Sequence, residues 1–248
     1  MVTIKTAEEI ALMRKANQIV RDTLLAVEEK IKAGMTTAQV DRIVHDYITK
    51  CGATPSFLGY EGYPASACVS IDEEVVHGIP DAERRIEEGQ IVSVDVGSIY
   101  KGYNGDAART FAIGEISAEK RRLIDVTKQS FFEGVKVLKA GVRLGDLGHA
   151  IQSYVEANGF SVVRALCGHG IGTDMHEDPE VLNFGKPGHG LRLKAGMTIA
   201  IEPMVNAGTY QVYMRENGWT VVTADGRPSA HYENTVAITE DGVEILSL

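Results

Sequence analysis

Cysteine is scarce in this chain: Cys51, Cys68 and Cys167 are the only three thiols among 248 residues, odd in number and without paired spacing. That argues against a disulfide framework, favours a reducing compartment, and implies no cysteine-based metal site. Long apolar runs are also missing. No uninterrupted stretch could span a bilayer, and the opening M-V-T-I-K-T-A-E-E-I lacks the apolar core of a secretory leader. Basic residues fall short of acidic ones, 25 Lys and Arg against 34 Asp and Glu, and the resulting net charge of -9 repels polyanions. Direct DNA binding and a membrane surface are therefore not expected. The one concentration of positive charge, from Lys120, Arg121, Arg122, Lys128 and Lys136 to Lys139 and Arg143, reads as a solvated helix face. These absences leave a soluble, cytoplasmic protein as the expectation, and 44% hydrophobic content over this length is enough for a substantial core.

What is present is a repeat. Residues 90–95 (Q-I-V-S-V-D) and 197–202 (M-T-I-A-I-E) each read as an apolar strand ending on a carboxylate, and they lie 107 positions apart. The same offset superposes Lys32 on Lys139, Ala33 on Ala140, Gly34 on Gly141, Tyr47 on Tyr154 and Gly52 on Gly159. Chance would supply about one or two identities in such a window. The chain therefore reads as internally duplicated, a single catalytic domain of two halves, about 1–115 and 116–248. Asp95 and Glu202 occupy equivalent positions, which suggests a site at a pseudo-twofold axis with one acid from each half.

Thr6 and Glu9 have capping-box spacing, and beyond them Ile10, Met13, Ala16, Ile19, Val20, Leu24 and Val27 recur at helical intervals as far as Gly34. Thr37 opens a second helix, with Val40, Ile43, Val44, Tyr47 and Ile48 on one side and Gly52 as its stop. Residues 120–138 after Ser117, and 146–157 before Gly159, repeat the pair. In the strand at 91–96, Val92, Val94 and Val96 share one face, Ile91, Ser93 and Asp95 the other. Small residues at Ser93 and at its equivalent Ala200 leave room beside the acids. A hairpin centred on Tyr100, Lys101 and Gly102 would make Asp95 and Asp106 cross-strand neighbours, and a three-strand meander through Asn217-Gly218 and Asp225-Gly226 would bring Glu202 to Glu233. The expected fold class is α+β, with helices outside a strongly curved antiparallel sheet.

Asp95, Asp106, Glu202 and Glu233 all fall within or at the end of strand-like runs, and His169 sits among glycines in C-G-H-G-I-G. Converging carboxylates repel unless cations neutralise them, and carboxylates with an imidazole suit Mn, Fe, Co or Zn. A two-metal centre is the expected result. His77 in V-V-H-G-I-P and His176 in D-M-H-E-D-P stand in loops near prolines, where a pair of imidazoles can polarise a carbonyl and protonate a leaving amine. His45, His149, His189 and His231 have no such context and read as structural or surface residues. Tyr60, Tyr63, Cys68 and the single tryptophan, Trp219, are candidates to line an apolar pocket for one unbranched side chain.

With G-Y-E-G-Y-P, V-V-H-G-I-P, S-V-D-V-G, Y-N-G-D-A-A-R-T-F, G-H-G-I-G, M-H-E-D-P, I-E-P-M and Y-E-N-T-V in order, essentially the whole chain resembles the type I, bacterial-class methionine aminopeptidases. The resemblance implies the pseudo-twofold pita-bread fold. It implies metal ligands at Asp95, Asp106, His169, Glu202 and Glu233, with Asp95 on one ion, His169 and Glu202 on the other, and Asp106 and Glu233 bridging. It implies removal of the initiator methionine from nascent chains or peptides when the second residue is small, through attack by a metal-held hydroxide. Glu202 would be the base and proton shuttle, His176 would stabilise the oxyanion, and His77 would hydrogen-bond the second residue's amide nitrogen. Tyr60, Tyr63, Cys68 and Trp219 match methionine-pocket positions. Phe57 stands where some members carry cysteine and Met175 where phenylalanine is common, two changes that bear on pocket shape.

The matching form is bacterial or organellar, a monomer acting on peptide N-termini, with ribosome association among the implied partnerships. Two other readings compete: a prolidase-like or X-prolyl dimetal peptidase, whose chains are longer, and a non-catalytic binding protein of the same fold, whose ligand positions should be broken.

Overall fold

Residues 2–248 are described by a computed structural model. Helix α1 (Ala7–Glu28) starts at the expected capping box: Glu9 N–H donates to Thr6 Oγ1 at 3.3 Å and Thr6 N–H to Glu9 Oε2 at 2.7 Å. Its apolar stripe of Met13, Ala16, Ile19, Val20, Leu24 and Val27 is fully or almost fully buried. The helix stops short of the expected Gly34, because the chain turns so that Gly34 N–H can bond to Ile86 O at 2.8 Å. Helix α2 (Thr37–Lys50) is capped by Thr36 and Gln39 in the same reciprocal way. In the second half α3 (Ala118–Lys136) is capped by Ser117. Helix α4 (Leu144–Ala157) begins two residues before the expected Asp146, whose carboxylate accepts from the Arg143 N–H and so acts inside the first turn.

Each helix pair backs antiparallel strands. In the first half the strand Ile91–Tyr100 pairs along its whole length with Tyr103–Ala112, and on its other edge with Ala67–Ile71 and Thr54–Pro55. Lys101 and Gly102 both take positive φ, 49° and 83°, as a two-residue primed turn requires. In the second half the strand order is Val243–Ile245, Asn234–Ile238, Thr198–Ile201, Gly168–Gly170, Glu177–Val181. Val92, Val94 and Val96 face a core beneath α1 and α2, whereas Ile91 joins the core beneath α3 and α4.

The expected three-strand meander does not form. Asn234 pairs with Ile201, and Met204 with His231, so residues 198–206 and 229–238 make one ladder interrupted around Glu202 and Glu233. The excursion between them carries the strands Val212–Met214 and Val221–Thr223, and the latter crosses to pair with Glu74–Val76 of the first half. The interruption separates the sheet through Thr198–Ile201 from that through Met204–Asn206, and among the described residues the strands that the sequence suggested as one curved sheet fall into four hydrogen-bonded groups.

The halves are joined along a polar seam. Glu233 N–H donates to Ala108 O at 3.0 Å, and Thr235 Oγ1 donates to Asp106 O at 2.9 Å. Arg109 crosses the same seam, donating to Glu233 O at 2.5 Å and to Asn234 Oδ1 at 2.7 Å while its guanidinium stacks 4.3 Å from the Tyr232 ring. First-half carboxylates are thereby set against second-half ones.

Candidate metal centre and active site

Asp95 lies opposite Cys68 on one neighbouring strand and Ala108 on the other, and Asp106 lies opposite Gly97. Directly opposed residues of an antiparallel pair share a face, as do residues two apart, so the two aspartates are diagonal neighbours on the cavity side. Glu202 and Glu233 sit where the second-half ladder breaks, freed from strict pairing to turn toward the seam. His169 is held at a register shift in Gly168–Gly170. Its flanking glycines are required by close approach: a Cβ on Gly168 would lie 2.3 Å from Ala200 O, and one on Gly170 would lie 2.1 Å from Asp178 O. Its Nδ1 is 2.9 Å from Gly170 O, which leaves Nε2 aimed at the acids, 3.7 Å from both Asp106 Oδ2 and Glu202 Oε1.

A cavity of about 320 Å³ collects every residue singled out for chemistry or binding. Asp95, Asp106, His169, Glu202 and Glu233 form its floor, and His77, His176, Phe57, Tyr60, Tyr63, Cys68, Met175 and Trp219 complete its lining. Tyr63 and Trp219 meet edge to face at 5.0 Å, and the His77 ring stands 6.4 Å from Trp219. Tyr63 Oη is committed to the backbone, donating to Gly78 O at 3.0 Å. His77 holds a positive φ of 58°, a conformation a non-glycine residue keeps only when its surroundings impose it. His176 Nδ1 bonds to Tyr60 Oη at 2.8 Å, and its ring lies 4.4 Å from that of His169. A larger groove, about 670 Å³, runs between α1 and α3 past Arg21, Arg121 and Lys128, and contains no cluster of metal-donor groups among the described residues.

The donors fit a divalent metal. Asp95 Oδ1, Asp106 Oδ1, Glu233 Oε1 and His231 Nε2 are buried without a hydrogen-bond partner, a cost that a coordinated cation removes. Burial pushes the Asp95 carboxyl up to about 7. Burial, then repulsion from neighbouring acids, holds Asp106, Glu202 and Glu233 well above the ordinary carboxylate range. Burial and the nearby His176 charge draw His169 and His77 down to about 4, so both stay neutral at physiological pH.

A match to the model for metallopeptidase family M24 spans residues 11–240. The chain belongs to metallopeptidase family M24. Within M24 it is 58% identical over 248 residues to a methionine aminopeptidase from Clostridium acetobutylicum, covering 100% of this chain and 99% of that one. The crystal structure of a methionine aminopeptidase from Thermotoga maritima superposes with a TM-score of 0.98 at 47% identity, covering 100% of this chain and 99% of that chain. An M24-like prolidase from Pyrococcus furiosus shares the architecture at a TM-score of 0.77 and 26% identity, and this chain covers 65% of it. The α+β pita-bread fold and the metallopeptidase class follow from these likenesses. No helix among the described residues is long and apolar enough to cross a membrane.

Of the two readings of His231 left open by the sequence, structural or surface, burial removes the second. Expected to be structural or surface, it is 2% exposed, and its Nε2 lies 3.6 Å from Glu202 Oε2 and 3.9 Å from Glu233 Oε2. The available signal was its position two residues before Glu233, which puts both side chains on one face of an extended segment. His149 and His189 are exposed, and His45 bonds to Ser66 Oγ at 3.0 Å, away from the cavity.

Proposed function

We propose that this M24 peptidase removes the N-terminal methionine from nascent proteins and peptides whose second residue is small, acting as one catalytic domain with both halves, 1–115 and 116–248, contributing to the site. The observation that carries the reading is the contiguity of orphaned donors, neutral imidazoles and an apolar pocket in one cavity. Asp95, Asp106, His169, Glu202 and Glu233 would hold two divalent ions, drawn from Co, Mn, Fe or Zn. Bound ions supply Lewis acidity, polarising the scissile carbonyl and acidifying water.

The protein's own groups divide the remaining work. Glu202, whose carboxylate stands between His169 and His231, would take a proton from the attacking water and pass it to the leaving amine. His176, oriented by Tyr60 Oη, donates toward the developing oxyanion. His77, fixed by its unusual backbone conformation, hydrogen-bonds the second residue's amide nitrogen. Tyr60, Tyr63, Cys68, Phe57, Met175 and Trp219 would enclose the unbranched thioether side chain. The proposed setting is the cytoplasm, with a monomer meeting peptide or nascent-chain N-termini, at the ribosome in the latter case.

After reconstitution with a defined metal, the full chain is expected to release free methionine from Met-Ala-Ser and to do so far more slowly from Met-Leu-Ser, as followed by chromatography. Cleavage of Xaa-Pro peptides in place of these would sink the assignment and favour the prolidase-like alternative.

A further inference from the structure

His231 is buried against two acids of the cavity floor, Glu202 and Glu233, with no role among the expected ligands. It reaches them from the strand Ser229–His231, which pairs with Met204–Asn206, whereas His169 comes from Gly168–Gly170, on the other edge of the same 198–206 segment. Glu202 between them places Oε1 3.7 Å from His169 Nε2 and Oε2 3.6 Å from His231 Nε2. The two imidazoles therefore flank one carboxylate at nearly equal separations. Those separations exceed a hydrogen bond. Donors that share one ion, each about 2.0–2.2 Å from it, lie at most about 4.4 Å apart, and the 3.9 Å between His231 Nε2 and Glu233 Oε2 meets that limit.

A satisfied core histidine would have its ring nitrogens paired, but His231 Nε2 is buried with no partner. Two groups of donors, each within 4.8 Å of one another, are present: Asp106, His169 and Glu233, and Asp95, His231 and Glu233. Each contains one aspartate and one histidine, and Glu233 is common to both.

We propose that His231 is a sixth metal ligand, giving the ion held by Asp95 and Glu233 its own nitrogen donor, so that each ion of the pair carries one imidazole. The inference rests on the two-metal reading above. Its chemical consequence is selectivity. An all-oxygen site suits Mn or Mg, while an added imidazole shifts preference toward Fe, Co and Zn.

The test is titration of Co(II) into the metal-free full chain, with X-ray absorption fine structure counting imidazoles per cobalt and calorimetry giving the two affinities. The expected result is two ions and two imidazoles. In His231→Leu one imidazole is lost and one of the two affinities falls by about 10- to 100-fold or more, taking the loss seen on removing a metal-site supporting group as a floor. Two ions with a single imidazole in the wild-type protein, or unchanged spectra and affinities in the variant, would overturn the role of His231 while leaving the two-metal reading intact. Uptake of fewer than two ions by the wild-type protein would overturn both. Should the variant fail to fold by circular dichroism, the wild-type imidazole count alone decides.

Discussion

In the proposed reading, Glu202 is a residue retained for chemistry where burial disfavours its charge. It is buried beside Asp95 and Asp106, and that environment favours its protonated form. A side chain kept for packing should be stabilising, and this one is not. Glu202→Gln is nearly isosteric and removes one repelling charge, so the metal-free variant is expected to unfold at or above the wild-type temperature. Its turnover should fall by about 10²- to 10⁴-fold, the usual contribution of a positioned acid–base group. Calorimetry beside peptide kinetics checks both, and full activity would count decisively against the assignment. His77→Ala tests a different job. Its kcat should fall by about 10²-fold or more, as for loss of a donor to the reacting groups, while metal content stays at the wild-type stoichiometry. Stoichiometric loss of metal in that variant would mean that His77 had been given the wrong role.

At the scale of elements, the decisive contact is that of α1 on the first-half hairpin. A Cβ on Gly105 would lie 2.6 Å from Asn17 N and 2.7 Å from the Ala16 carbonyl carbon, both backbone atoms that have nowhere to go. The next residue, Asp106, is fixed by the same contact, its N–H donating to Asn17 Oδ1 at 3.1 Å. Gly105→Ala is therefore expected to destabilise by about 1–3 kcal/mol through overpacking. It should also shift Asp106 and weaken metal binding, which denaturant melts and metal titration can follow together. Wild-type values in both would show that the helix and hairpin can separate without disturbing the floor of the site. The hairpin itself was readable, because the midpoint between the aspartates falls at Tyr100 and Lys101, beside Gly102; the turn forms one step further on, at Lys101 and Gly102. Its register was not. The aspartates are diagonal rather than directly opposed, since Asp95 faces Ala108, and a turn signal locates a bend without choosing which residues pair.

For the whole molecule, the buried charges make stability depend on pH in a direction set by opposing groups. Carboxyls with raised values, Asp95 at about 7 and Asp106, Glu202 and Glu233 well above normal, bind more protons folded than unfolded. Their contribution is present at low pH and is lost as pH rises through the folded value. The histidines act the other way. His77 and His169 at about 4 and His231 at about 3 gain stability as pH rises, but that gain is complete above the ordinary imidazole value. Above about pH 6.5 the histidine gain falls away, and the raised carboxyls set the sign of the slope. The metal-free Tm is thus expected to decline from about pH 6.5 to 8, and metal binding to release protons and flatten the decline. Thermal melts with and without chelator across that interval decide it, and a metal-free Tm that climbs would contradict the charge-crowded cavity.

The amino-acid sequence by itself determined the features that local chemistry and repetition impose. The capping pairs Thr6/Glu9 and Thr36/Gln39, the alternation of Val92, Val94 and Val96, and the 107-residue offset relating Asp95 to Glu202 are all short-range or periodic, and they led to the two helix pairs, the hairpin that carries Asp95 and Asp106, and the expectation of a shared acidic site. Only the tertiary structure decided that residues 198–206 and 229–238 form one broken ladder, because pairing across a long excursion is chosen by burial over the whole fold. That break swings His231 beneath Glu202. A histidine that looked ordinary along the chain thereby reaches the buried acids Glu202 and Glu233, since in water any imidazole is satisfied, and only a dry enclosure of unpaired donors gives it a partner to seek.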